Sequence, residues 1–153
     1  MNIVEYKISK SPIAFCMVDD SHTYQSSWTT ELVKNIADLT ITNIHSKGYD
    51  ILQGQDEDIL LNYAANTGYS FAVVFSIGTE FINGKKFFEE IEKLSHHDLF
   101  LAGHILDRSD AYYELHHQCY FINLNKFKEL SYPEIGQQKL GAIHTQDVPW
   151  RSR

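Results

Sequence analysis

The sequence predicts an α/β fold: a mainly parallel sheet with helices on both faces and an antiparallel strand pair in the C-terminal half. Three observations carry this. Apolar, β-forming runs alternate with segments of helical spacing. The runs break into polar loops at their carboxyl ends. The last two runs are joined too tightly for a crossover helix, so they are expected to pair antiparallel. At 153 residues one domain is expected over 1–153, with 137–153 as a strap along the sheet or a truncated end.

In chain order, Pro12 to Val18 (PIAFCMV) is an apolar run that begins with proline, where a missing donor is harmless. It breaks at Asp19-Asp20-Ser21-His22, as a central parallel strand does. Ser26 to Leu39 carries Trp28, Leu32, Ile36 and Leu39 at helical spacing, with Ser26 or Ser27 as the cap. Thr40 to Ile44 (TITNI) is β-branched and alternating, which predicts a strand. Gly48 to Gln55 reads as a loop holding Asp50.

Asp56 is expected to cap a second helix, with Glu57 and Asp58 favourable to its dipole, Ile59, Leu60, Tyr63 and Ala64 at helical spacing, and Gly68 as the stop. Tyr69 to Ser76 (YSFAVVFS) has no polar alternation and reads as a buried strand that breaks at Ile77-Gly78-Thr79-Glu80. Asn83 caps a third helix, GKKFFEEIEKL, with Phe87, Ile91 and Leu94 inward. Strands follow at Leu99 to Leu106 and Leu115 to Leu124, around a polar turn at Asp107 to Ala111. A short helix, Asn125 to Leu130, ends before Pro133.

Composition narrows the function. Apolar residues make up 43% and aromatics 13% of the chain, which excludes global disorder. No apolar run approaches the ~20 residues of a membrane span, and the N-terminus lacks the basic start and apolar stretch of a signal peptide. The net charge is −7, with no basic block longer than Lys85-Lys86. That disfavours a nucleic-acid surface and leaves room for one small anion in a local pocket. Cys16 and Cys119 lie in apolar runs and read as free buried thiols in a reducing cytoplasm.

Ligands of open α/β sheets bind beyond the carboxyl ends of the strands. Those ends carry Asp19, Asp20, Ser21 and His22, then Gly78, Thr79 and Glu80, then Asp107 and Arg108. The three clusters are expected on one rim. The stretch from Phe100 to Asn123 adds His104, Asp110, Glu114, His116, His117 and Gln118. On a regular strand His116 and His117 point to opposite faces, so at most one shares a side with His104. A pair such as His104 with His116, plus Glu80 or Asp107, is a His/carboxylate metal set. The bland reading is a hydrogen-bonded polar layer in the sheet, with the strand-end acids as solvated loop residues. No nucleophile elbow, phosphate loop or dinucleotide fingerprint is present.

The run YSFAVVFSIGTEF, then GKKFFEEIEKL, FLAGHILDR and HHQCYFINLNKFKEL, resembles the central part of GT-A-type glycosyltransferases in the order and texture of its elements over roughly 12–136. The resemblance implies a GT-A/Rossmann-like three-layer fold and a nucleotide-sugar or similar phosphorylated ligand. It departs from the family where Ser76-Ile77-Gly78-Thr79-Glu80 stands in place of the Asp-x-Asp motif. It implies ligand contacts from Asp19, Asp20 and Asp50 near base and ribose, from Thr79, and from Arg108 and Gln118. Glu80, with His104, would hold a divalent metal, Mn or Mg. His104, Asp107, Glu114 and His116 would act on the acceptor side.

The leading expectation is therefore a GT-A-like ligand-binding domain and a divergent glycosyltransferase. A small His/carboxylate metalloenzyme is one alternative, and a non-catalytic interaction or regulatory module is another. The expected partner is a phosphorylated or sugar small molecule, with neither nucleic acid nor membrane. Homo-oligomerisation and membership of a longer polypeptide stay open.

Overall fold

The fold is built on Phe71–Ser76, strand β4, whose Ala72, Val73, Val74 and Phe75 are all buried. The structure, a computed structural model, describes residues 2–7, 11–23, 26–81, 84–107, 113–135, 138–140 and 144–146. For residues 23, 104–107, 113–118, 138–140 and 144–146 the description is of the backbone alone. The remaining elements are β1 (Val4–Tyr6), β2 (Ile13–Val18), α1 (Ser27–Ser46), β3 (Asp50–Gly54), α2 (Glu57–Asn66), α3 (Gly84–Leu94), β5 (Leu101–Asp107), β6 (Tyr113–Asn123), α4 (Leu124–Glu129), β7 (Gln138–Leu140) and β8 (His144–Gln146).

Six strands form one open sheet in the order β1–β3–β2–β4–β6–β5. Its centre, β3–β2–β4, is parallel, with Val18 opposite both Gly54 and Ser76. β6 enters antiparallel between β4 and β5, and β1 is antiparallel at the far edge. The expected antiparallel pair is thus β5–β6, and it attaches to the sheet through β6. β7 and β8 form a separate two-stranded antiparallel sheet within the stretch expected to be a tail.

Side chains alternate out of the two faces of the sheet, and a separate apolar cluster covers each. Cys16, Leu52, Val74, Tyr120 and Ile122 pack with Leu60, Leu61, Ala64 and Ala65 of α2 and Leu124 and Phe127 of α4. On the other side Phe15, Ile51, Val73, Phe75 and Phe121 pack with Ala37 and Ile44 of α1 and Phe88 and Ile91 of α3. Phe15 is the hub of an aromatic group there, with Tyr49, Phe75, Phe81, Phe87 and Phe88 at centroid distances of 5.1–6.4 Å. Within α3, Phe88 rather than Phe87 is the buried phenylalanine, while Phe87 and Leu94 are half-buried against the same cluster.

Two expectations fail at α1. Residues 40–44 do not form a strand; they continue the helix to Ser46. Thr40 and Ile44 are buried, and the Thr40 hydroxyl donates to the Thr79 carbonyl at 2.8 Å. Burial and that bond outweigh the β preference of the run. The inward stripe is also not Trp28, Leu32, Ile36 and Leu39. It is Val33, Ala37, Thr40, Ile41 and Ile44, and Trp28, Leu32 and Leu39 face solvent. Residues 50–54, expected as loop, form β3.

Capping follows the local chemistry. The Ser26 and Asp56 side chains accept from Thr29 and Ile59 at the starts of α1 and α2, and Asn123 caps α4. Asn83, expected as the cap of α3, lies outside the described residues.

Candidate functional site

The carboxyl ends of β2, β3 and β4 lie side by side on one rim of the sheet, sealed by backbone bonds from Asp19 N–H to the Gly54 carbonyl and from Ile77 N–H to the Val18 carbonyl. After β4 the chain turns at once, with Thr79 N–H donating to the Ser76 carbonyl. Gly78 adopts φ +91° in this turn, a backbone region that glycine enters without strain. Glu80 follows, exposed at the rim. Strand order thus brings Asp19, Asp20, Thr79 and Glu80 together at the backbone level.

Asp19 is held in place on this rim by hydrogen bonds. Its Oδ1 accepts from the Ser21 N–H and hydroxyl, and its Oδ2 accepts from the Gln53 amide at 3.0 Å. Burial acts to raise its pKa, but those hydrogen bonds and the nearby His22 outweigh it and hold the carboxyl below its usual range. Asp19 is therefore ionised at neutral pH. Gln53 is fixed in turn by the Tyr6 hydroxyl, which donates to its Oε1 at 3.3 Å. Asp19, Gln53, Gly54 and Gln55 line an open cleft of about 320 Å³, which Asn2 and Val4 close from the β1 side. One carboxylate set among carboxamides can accept from hydroxyl or amino groups of a ligand and orient them.

Asp20 is exposed beside this cleft, and Thr79 is half-buried with its carbonyl taken by Thr40. Asp50 is not on this rim. It begins β3 opposite Ala14, at the amino ends of the parallel strands, where it is 2% exposed and accepts from the Tyr69 hydroxyl at 2.8 Å. Reading 50–54 as a loop hid that polarity. Once the segment is a strand, Asp50 and Gln53 lie near opposite ends, and Gln53 is the residue at the cleft. Gln53, Gln55 and Asn2 are the cleft residues that sequence reasoning missed, and strand alternation in DILQG was the signal available for the first.

The backbone of β5 and β6 extends past the end of β4. Phe75 pairs with Cys119, and the β5–β6 pairing continues from there to Asp107 and Tyr113. The register shifts between Gly103–Tyr120 and Ile105–Leu115, so β6 advances five positions while β5 advances two. At this bulge a Cβ on Gly103 would lie 3.2 Å from the Cys119 carbonyl oxygen and the Tyr120 Cβ. His116, His117 and Gln118 fall within the bulge, so the alternation that assigned the two histidines to opposite faces does not apply. The side chains of His104, Asp107, Glu114, His116 and Gln118, and Arg108 and Asp110 entirely, lie outside the described residues.

A half-buried acid stands behind the rim. Glu57, the first residue of α2, accepts from the Tyr120 hydroxyl at 2.7 Å. Desolvation, with help from the charges of Asp58 and Asp56, pushes its carboxyl up to about 8. Burial and the nearby Glu57 likewise raise the Cys16 thiol to about 12. Both cysteines are free, and Cys119 is raised to about 11 by burial. Neither has the depressed pKa of a catalytic thiol.

Among the described residues no three His, Cys, Asp or Glu side chains gather into a metal-binding group, and no helix is long and apolar enough to cross a membrane. Set against protein-family models, curated proteins and solved structures, the chain matches none of them.

Proposed function

We propose that the carboxyl rim binds a nucleotide-sugar or similar phosphorylated ligand, in a GT-A-like domain. The observation that carries the reading is the ionised Asp19, wired to Ser21 and Gln53 in an open polar cleft at the carboxyl ends of adjacent parallel strands. In open α/β sheets this is where ligands sit, and an acidic strand end suits ribose hydroxyls. The described residues that line the cleft offer a carboxylate and carboxamides, which suit the polyol end of the ligand. The phosphates would lie toward Gly78–Glu80. Mn²⁺ or Mg²⁺ takes one or two carboxylates and completes its shell with ligand phosphates and water, and Glu80, exposed at the rim, would be the carboxylate that contributes. When bound, such an ion would offset phosphate charge.

The order of β4, α3, β5 and β6 also supports the reading, because it repeats the run of elements through which the sequence resembles those transferases. Glycosyl transfer itself would need the acceptor-side residues His104, Asp107, Glu114 and His116.

The test is a thermal-shift screen of UDP-, GDP- and CDP-sugars with and without Mn²⁺. A ligand at ~100 times its dissociation constant stabilises the fold by about 2.7 kcal/mol, which reads as a shift of several degrees. Asp19→Asn should abolish most of that shift while leaving the melting temperature of the free protein within a few degrees. Shifts of equal size in Asp19→Asn and wild type, or no shift with any nucleotide-sugar, would reject the reading.

A further inference from the structure

The outward side of α1 carries a second apolar stripe, which belongs to neither core cluster of the described residues. Trp28 is 72%, Leu32 45% and Leu39 61% exposed. At ~100° per residue these three side chains fall within an arc of about 40°, over roughly 16 Å of helix. Half-buried Ile36 adjoins them. Isolated exposed apolar side chains are ordinary. The others here, Val4, Ile59, Leu130 and Tyr132, are scattered over separate elements. Among the described residues they are in register only on α1.

Charge decides what can cover this stripe. Glu31 and Asp38, two turns apart and both exposed, form a column along one border of it, and the exposed Lys34 lies beyond that column, farther from the stripe. Neither forms an ion pair among the described residues. Two-fold antiparallel pairing of α1 with a second copy would set each acidic column against its counterpart, on chains of net charge −7 each. Like charges so placed are destabilising. A membrane surface fits no better, since interfacial helices carry Lys and Arg beside the apolar face and anionic lipids attract those cations.

We infer that α1 docks an amphipathic helix of another protein, one whose apolar face is bordered by lysines or arginines. Trp28, Leu32 and Leu39 would anchor it, and Glu31 and Asp38 would set its orientation and speed its capture. Tryptophan at one end of such a stripe suits an anchor, because it brings a large contact area at small entropic cost.

The experiment uses the full chain with Trp150→Phe, so that fluorescence reports on Trp28 alone. A Leu/Lys amphipathic peptide of about 18 residues, long enough to hold a helix, is titrated in parallel with its Leu/Glu counterpart. The expected result is a saturable blue shift with the Leu/Lys peptide only, weakening as salt rises. Leu39→Asp should weaken that binding at least tenfold. Glu31→Lys with Asp38→Lys should transfer the preference to the Leu/Glu peptide. These positions are exposed, so melting temperatures should stay near wild type, and Leu32→Ser serves as a second apolar variant. Absence of binding, equal binding of both peptides, or binding untouched by Leu39→Asp and Leu32→Ser would overturn the inference. So would self-association, measured by sedimentation and lost in Leu39→Asp, or adsorption to phosphatidylserine vesicles through the same residues.

Discussion

Glu57 opens α2 between two other carboxylates, Asp56 and Asp58, and shares a hydrogen bond with the buried Tyr120. Its carboxyl, ordinarily near 4.5, is raised to about 8 by desolvation first and by its acidic neighbours after that. The native state therefore holds a proton that the unfolded chain releases above pH 4.5. Since the native state binds more protons over that window, stability falls as pH rises from about 4.5 to about 8 and levels off above it. Asp19 acts in the opposite sense at lower pH, because its depressed carboxyl loses its contribution as acid protonates it. Glu57→Gln keeps an acceptor for Tyr120 and removes the titration. Denaturant unfolding at pH 5 and pH 8.5 should show a clear decline in wild type and a nearly flat profile in Glu57→Gln. An unchanged decline in the variant would mean that Glu57 is ionised in the fold.

At the scale of single elements, α1 shows where sequence reasoning ends. Its 3.6-residue period was legible, but two stripes satisfy that period. One is Trp28, Leu32, Ile36 and Leu39. The other is Val33, Ala37, Thr40, Ile41 and Ile44. The first is the more hydrophobic, and choosing it left TITNI free to be read as a strand. The second wins because the sheet needs a helix long enough to bring Ile44 over Phe15 and Ile51, and because Thr40 ties the helix to the rim turn. Neither fact is local. The caps at Ser26 and Asp56 and the buried β4 were legible, since they depend on chemistry within a few residues. β1 was not: three residues reading VEY become a strand only because β3 offers them an edge. Of the candidate site, Asp19 and the 78–80 turn follow from strand ends, whereas Gln53 and Asp50 needed the boundaries of β3. Thr40→Val keeps the shape and loses the bond to Thr79. It should cost about 1 kcal/mol, read as a lower melting temperature. A variant as stable as wild type would show that the turn holds without α1.

The whole molecule rests on β4, which has a neighbour on each side and an apolar cluster on each face. Val74 is 1% exposed and packs with Cys16, Leu52 and Tyr120, while Val73 and Phe75 serve the opposite cluster. Val74→Asp would place a charge there with no partner. A loss of several kcal/mol is expected, enough to unfold a domain whose total stability is of order 5–15 kcal/mol. Soluble, cooperatively melting Val74→Asp protein would contradict the central position of the strand.

The insertion of β6 between β4 and β5 has a consequence for the chain as it is made. When β4 leaves the ribosome, β2 is available for one of its edges, but the strand for its other edge lies roughly fifty residues downstream, which at ~5–20 residues per second means several seconds of waiting. During that interval FAVVFS presents an unpaired row of backbone donors and acceptors flanked by bare aromatic rings, the kind of surface that recruits other nascent chains. β5, synthesised first, cannot close the gap, because it joins the sheet only through β6. Until β6 has been made, β4 keeps one open edge, and sheltering that edge limits its pairing with other chains.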